Sequence, residues 1–326
     1  MKAIFHRILP LVLALCLLSG CGSTAGKTEE KDAFLDETAL DVVSLEEEAV
    51  ALAEGPAALD TMLEPVASGV HTKENGVAVI DYSNTSDGYV MVCYTAQTNK
   101  RLKAQVKGPS TTYTYNLTQE KWATFPLSDG NGSYQVVVYE NISGIKYATV
   151  LSARFDVKLT DEFAPFLRPN QYVDYSVAPN TVAKAQELTA GKTEPLEKVQ
   201  AVYDYVVQNI TYDHKMASTV QSGDLPALDT VLAKKSGICF DYASLMTGML
   251  RSQGIPSKLV VGYAGTVYHA WISVWSEETG WVDGAIYFDG ASWQRMDPTF
   301  ASTGRQSREI MQFIGDGKNY TVKYLY

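Results

Sequence analysis

Histidine and cysteine are both scarce: each occurs four times in 326 residues. His6 stands near the start and His71 at the entrance to a strand-rich region, so imidazole chemistry further on must use His214 or His269. Cys16 and Cys21 fall in the first two dozen residues, leaving Cys93 and Cys239 for the folded part, too few for a disulfide-stapled scaffold. Cys93 lies in a strand-like run in a different region from Cys239, so it reads as a packed strand residue rather than a disulfide partner. A basic excess is also missing. The formal net charge is −10, which excludes the electrostatic footprint of a nucleic-acid binder. No apolar run is long enough to span a bilayer; Ile8 to Leu18 is too short. Neither a metal nor another cofactor is expected.

The N-terminus is a targeting segment. Lys2 and Arg7 precede the apolar run, and Leu18-Ser19-Gly20-Cys21 closes it. This arrangement resembles the bacterial lipoprotein signal, which implies a lipid on Cys21, a mature chain facing outside the cytoplasm and a membrane partner reached through that anchor. Residues 1–20 are then the signal peptide. Residues 21–65 form an acidic tether. Within 22–60, eleven acidic side chains face only Lys27 and Lys31, and from residue 61 onward the chain carries about −3.

From about Val70 the grammar is that of strands. Val77–Tyr82, Gly88–Thr95, Leu102–Val106, Tyr113–Leu117, Trp122–Leu127, Tyr134–Tyr139 and Tyr147–Leu159 are short runs rich in Val, Tyr and Thr, separated by glycine or polar turns. Their spacing predicts an all-β, Ig-like sandwich over 66–160. Asp129-Gly130-Asn131-Gly132 lacks the further oxygen ligands of a calcium loop and reads as a hairpin turn.

Residues 161–326 change to an α+β pattern. Pro195 opens a helix with Leu196, Val199, Val202, Tyr203, Val206, Val207 and Ile210 on one face; a short helix follows, with Asp224 as N-cap and Pro226 in its first turn. Phe240 to Gln253 repeats apolar residues at three- and four-residue steps, as a half-buried helix does, and ends at Gly254 and Pro256. Strand-like runs come next at Ser257–Tyr263, Val267–Trp275 and Trp293–Met296, then a helix near Ser307–Phe313 and a last strand, Tyr320–Tyr326.

Cys239 stands at a helix start, where free N–H groups and the helix dipole favour a thiolate. Position alone leaves this open against a small buried core residue. A thiolate needs a base, and the base an orienting carboxylate. His269 falls in an alternating strand run, and Asp297 follows the end of what reads as the adjacent strand. A helix packed on their shared face would bring the sulfur to the imidazole.

The segments Gly237–Ala243, Leu250–Pro256, Val261-Gly262-Tyr263, His269-Ala270-Trp271 and Asp297-Pro298-Thr299, preceded by Ile210-Thr211-Tyr212-Asp213, resemble the transglutaminase-like superfamily over roughly 175–305. The resemblance implies a papain-like core, in which a helix-borne cysteine packs on an antiparallel sheet. It also implies a Cys239–His269–Asp297 triad. Backbone N–H of Cys239 would serve as oxyanion donor, with Tyr212 as a second; Tyr263 and Trp271 read as cleft walls or, equally, as core residues. Asp241 reads as a first-turn cap and His214 as a loop residue. The segment Trp281–Trp293 departs from the pattern and reads as an extra hairpin. The implied activity is a cysteine-dependent amide hydrolase acting on polypeptide or cell-wall peptide, with crosslinking acyl transfer as the alternative. A non-catalytic surface scaffold is the competing class.

Overall fold

The structure, a computed structural model, describes residues 62–221, 223–276, 280–283, 286–288, 293–295 and 320–326. The expected signal peptide, almost all of the expected acidic tether, Asp297 and the helix expected near Ser307 lie outside the described residues. No helix among those described is long and apolar enough to cross a membrane.

The strand-rich region forms two four-stranded antiparallel sheets. One contains β1 (Thr72–Glu74), β2 (Ala78–Asp81), β3 (Tyr89–Tyr94) and β6 (Trp122–Pro126), in that order. In the other, β5 (Thr112–Leu117), β4 (Leu102–Lys107), β7 (Gly132–Ser143) and β8 (Lys146–Val157) pair in sequence. Strict alternation in Leu102–Lys107, with Leu102, Ala104 and Val106 buried and the lysines outward, shows why these strands form: one face meets the opposite sheet and the other stays wet. All seven expected strands are present, and Thr72–Glu74 adds an eighth. The turn at Asp129–Gly132 is not a hairpin, since β6 and β7 belong to different sheets. Its Asp129 carboxylate accepts N–H groups of Ser110 and Thr111 at 2.9 and 2.7 Å, closing a neighbouring loop. Cys93 is a buried, free thiol on β3, as expected.

The second part carries α1 (Pro179–Thr189), α2 (Pro195–Asn209), β9 (Thr211–Tyr212), α3 (His214–Thr219), α4 (Leu228–Lys234), β10 (Ser236–Gly237) and α5 (Cys239–Ser252). Helix α1 was not anticipated, because its apolar face is weak and no residue of its own caps it. The cap comes from α4: Asp229 accepts the N–H groups of Asn180 and Thr181 at 3.1 and 2.7 Å. Asp224, expected to cap α4, does not; the chain enters the helix only at Ala227. A four-stranded antiparallel sheet follows, in the order β13 (Gly280–Asp283), β12 (Val267–Ser276), β11 (Ser257–Ala264), β16 (Tyr320–Leu325).

Helix α5 departs most from expectation. It is buried along its whole length, polar residues included, rather than on one face. It lies between α1, α2 and α4 on one side and β11 and β12 on the other. Gly248 allows that crowding: a side-chain carbon there would stand 2.6 Å from Leu228 Cδ1. As expected, Gly254 takes φ +75° where the chain leaves the helix. Near its end, fully buried Arg251 donates to the carbonyls of Ser257 (2.9 and 2.7 Å), Arg168 (2.9 Å) and Tyr326 (2.6 Å). Burial lowers its pKa to about 10, so the guanidinium stays charged at neutral pH.

The two parts share one continuous core joined by aromatic rings. Tyr115 of β5 lies 5.7 Å from Tyr172, which meets Tyr326 at 4.5 Å and Phe240 at 5.5 Å. Arg251→Met should cost about 3 kcal/mol by removing the hydrogen bonds that tie the oxygens of Ser257, Arg168 and Tyr326 to one buried guanidinium. In a thermal melt this should lower the unfolding midpoint by roughly 10 °C.

Candidate active site

Cys239 is the first residue of α5, and its side chain is almost covered. The chain arrives through β10, which pairs in parallel with β9, setting Gly237 opposite Tyr212. Asp213 N–H then donates to Gly237 O at 2.9 Å, and Asp213 caps α3 by accepting from Met216 N–H at 2.8 Å. The upstream Thr211-Tyr212-Asp213 segment is thereby fixed two residues from Cys239. His214 is the first residue of α3 rather than a loop residue, with its ring edge-on to Tyr212 at 5.0 Å.

Asp241 closes the helix start as expected. Its Oδ2 accepts the Ile238 N–H at 2.8 Å, tying the turn before the cysteine to the first turn after it. Gly237 must be glycine for this to happen, because a side-chain carbon there would stand 2.6 Å from Asp241 Cβ. Burial raises the Asp241 pKa; the Ile238 hydrogen bond opposes this and Asp213 reinforces it. Behind the cysteine, Tyr242 Oη donates to Ile210 O at 2.6 Å, holding α5 to the end of α2.

His269 lies on β12, opposite Gly262 of β11, and is buried. Strand alternation sets His269, Trp271 and Ser273 on one side of β12. Ala270, Ile272 and Val274 occupy the other and join the core to which α5 contributes Leu245 and Met249, so the helix flanks that side of β12 instead of the expected one, which carries His269. Of the two roles open to Trp271, cleft wall or core, the structure gives the second: it is only 1 % exposed and packs edge-on against Tyr320 at 5.0 Å. Tyr263 is half-buried, edge-on to Tyr268 at 5.4 Å, with Lys323 Nζ 5.6 Å from its ring centre.

Asp297 lies outside the described residues, but the strand before it does not follow expectation. β15 (Trp293–Arg295) pairs with β14 (Ile286–Phe288) in a separate two-stranded ribbon, and β13 takes the place beside β12. The cause is the long 281–293 insertion, which contributes β13 to the sheet and then folds back as the expected hairpin. Phe240 and Tyr268, not singled out from sequence, line a cavity of about 50 Å³ next to Cys239 and His269 in the chain. Their only signal was adjacency to the two candidate catalytic residues.

Residues 182–298, which carry the helix-opening cysteine and the strand-borne histidine, match the family model for the transglutaminase-like superfamily. Over 118 residues the chain is 33 % identical to Uncharacterized protein YebA of Bacillus subtilis (strain 168), covering 30 % of this chain and 16 % of that protein. Over 119 residues it is 29 % identical to a Protein-glutamine gamma-glutamyltransferase of Pseudomonas aeruginosa, covering 32 % and 17 %. The chain thus matches about one-sixth of the length of these curated relatives. Among solved structures, the periplasmic domain of TgpA from Pseudomonas aeruginosa bound to ethylmercury aligns at 20 % identity and TM-score 0.34, over 75 % of this chain and 79 % of that one. Red sea bream transglutaminase aligns at 14 % identity and TM-score 0.30, over 70 % and 53 %. At such scores these two likenesses carry no argument.

Two outcomes follow from the cap. Gly237→Ala should cost about 1–2 kcal/mol by displacing Asp241, and slow alkylation of Cys239; denaturant titration and timed labelling would show both. The raised Asp241 pKa means the folded chain binds that proton more tightly than the unfolded chain, so its contribution to stability is largest in acid and is lost as pH rises through the raised value. Asp241→Asn keeps an acceptor for Ile238 and removes the charge. The urea midpoint of the parent should therefore fall relative to this variant as pH rises from about 4, the ordinary carboxylate value, through the raised one.

Proposed function

We propose that the chain is a cysteine-dependent amide hydrolase working through a thioester. The observation that supports it is Cys239 at the first residue of a helix buried on all sides and packed on the strand of His269, within the matched segment. In this reading sulfur and imidazole meet at the N-terminal end of α5 rather than along its flank. The thiolate of Cys239 attacks the amide carbonyl carbon, and His269, as imidazolium, gives its proton to the departing amine. Asp297 orients the ring and stabilises its charged form. The Cys239 N–H, with Tyr212 beside it, faces the developing oxyanion. Water then attacks the thioester, releasing a carboxylate and restoring the thiol. No metal or cofactor is required by these steps.

The substrates are polypeptides or cell-wall peptides outside the cytoplasm, with the chain held at the membrane through lipid on Cys21. A second reading, in which a lysine amine replaces water and a crosslink forms, is favoured by the name of the Pseudomonas relative. Both share the chemistry as far as the thioester.

Incubation with a glutamine-containing peptide and an amine donor, read by mass spectrometry, separates the outcomes. Chain cleavage marks a protease, a gain of about one dalton on glutamine marks deamidation, and amine incorporation marks transfer. Cys239→Ala should abolish every product. Cys239 should also alkylate with iodoacetamide at about pH 6 faster than an ordinary thiol. If it does not, the surface-scaffold reading replaces the enzyme.

A further inference from the structure

A groove of about 460 Å³ opens where the outer side of β6 meets the 169–176 loop. This lies within the roughly 300–1,000 Å³ range of ligand sites. Trp122 and Thr124 stand on the sandwich wall; Asn170, Gln171 and Leu225 stand on the opposite wall. Two large apolar side chains are left in solvent here, Trp122 at 45 % exposure and Leu225 at 48 %. Asn170 is only 4 % exposed. Its Oδ1 accepts the Tyr172 N–H at 2.9 Å, while its Nδ2 has no partner among the described residues. Gln171 Nε2 is likewise buried without one. A buried donor left unpaired is costly, and a ligand carbonyl would satisfy it.

The groove does not end there. Asn116, Gln171 and Leu225 also line the narrower cavity that reaches Phe240 and Tyr268, the chain neighbours of Cys239 and His269. We propose that this continuous path seats an extended polypeptide, with its remote residues between Trp122 and Leu225 and the chain leading to the cysteine. The identity of the attacked amide rests on the function proposed above; the binding of polypeptide does not. Side-chain amides suit such an occupant because each offers a donor and an acceptor, as each peptide unit does. Apolar footholds on both walls suit alternate side chains of an extended segment, and the path leads to chemistry that acts on amides. The sandwich is then half of the substrate-binding surface.

The test uses the full chain carrying Cys239→Ala, so that binding is read without turnover and independently of catalysis. Fluorescein-labelled β-casein, a disordered polypeptide, serves as the probe in an anisotropy titration. Trp122→Ala and Leu225→Asp should each weaken binding about tenfold, as loss of an apolar anchor does. Ile142→Ala, at the exposed tip between β7 and β8, should leave it unchanged. Equal binding by all three variants overturns the proposal, as does absence of binding by the parent. Displacement of casein by chitotetraose would mark a saccharide site instead and overturns it too.

Discussion

A helix buried on every side cannot leave its ends to water, and the architecture around α5 is organised by that constraint. At the N-terminal end Asp241 turns back to the Ile238 N–H, and the turn that permits this needs Gly237. Near the C-terminal end Arg251 gathers carbonyls from the 168 loop, from β11 and from residue 326. Between them Tyr242 reaches Ile210. These contacts recruit most of the second part of the chain, and together they fix where Cys239 stands.

The same constraint explains the shape of the sheet. β11 and β12 cover one flank of α5, and β16 is held on β11 close to the oxygen that receives Arg251. Tyr326 then links outward to Tyr172 and Tyr115, so the sandwich packs onto the helix that bears the cysteine. The groove between Trp122 and Leu225 is a product of that packing. Neither half of the chain has it alone.

Local pattern made much of this legible in advance. Alternation in Leu102–Lys107, the Pro195 helix and the strand runs Ser257–Tyr263 and Val267–Trp275 are all written at periods of two or near four. Motif order gave Cys239, His269 and the Tyr212 segment, and the structure sets Tyr212 beside the turn before Cys239. What remained hidden depends on partners distant in sequence. The apolar stripe of α5 shows one buried face; nothing local says that Ser244, Thr247 and Arg251 are buried too. The cap of α1 comes from Asp229, forty-eight positions from Thr181. Trp271 reads as cleft wall or core alike until Tyr320 is seen against it. The neighbour of β12 was misassigned because pairing between successive runs was assumed, whereas the 281–293 insertion supplies the nearer strand itself.

The bond from Arg251 to residue 326 spans 75 positions. Synthesis runs from the N-terminal side of a chain, so α5 is made well before the strand that completes its seat. Until residues 320–326 have been made, the guanidinium lacks one of its three partners and β11 one of its two neighbouring strands. The seat of this helix therefore closes long after the helix itself could form.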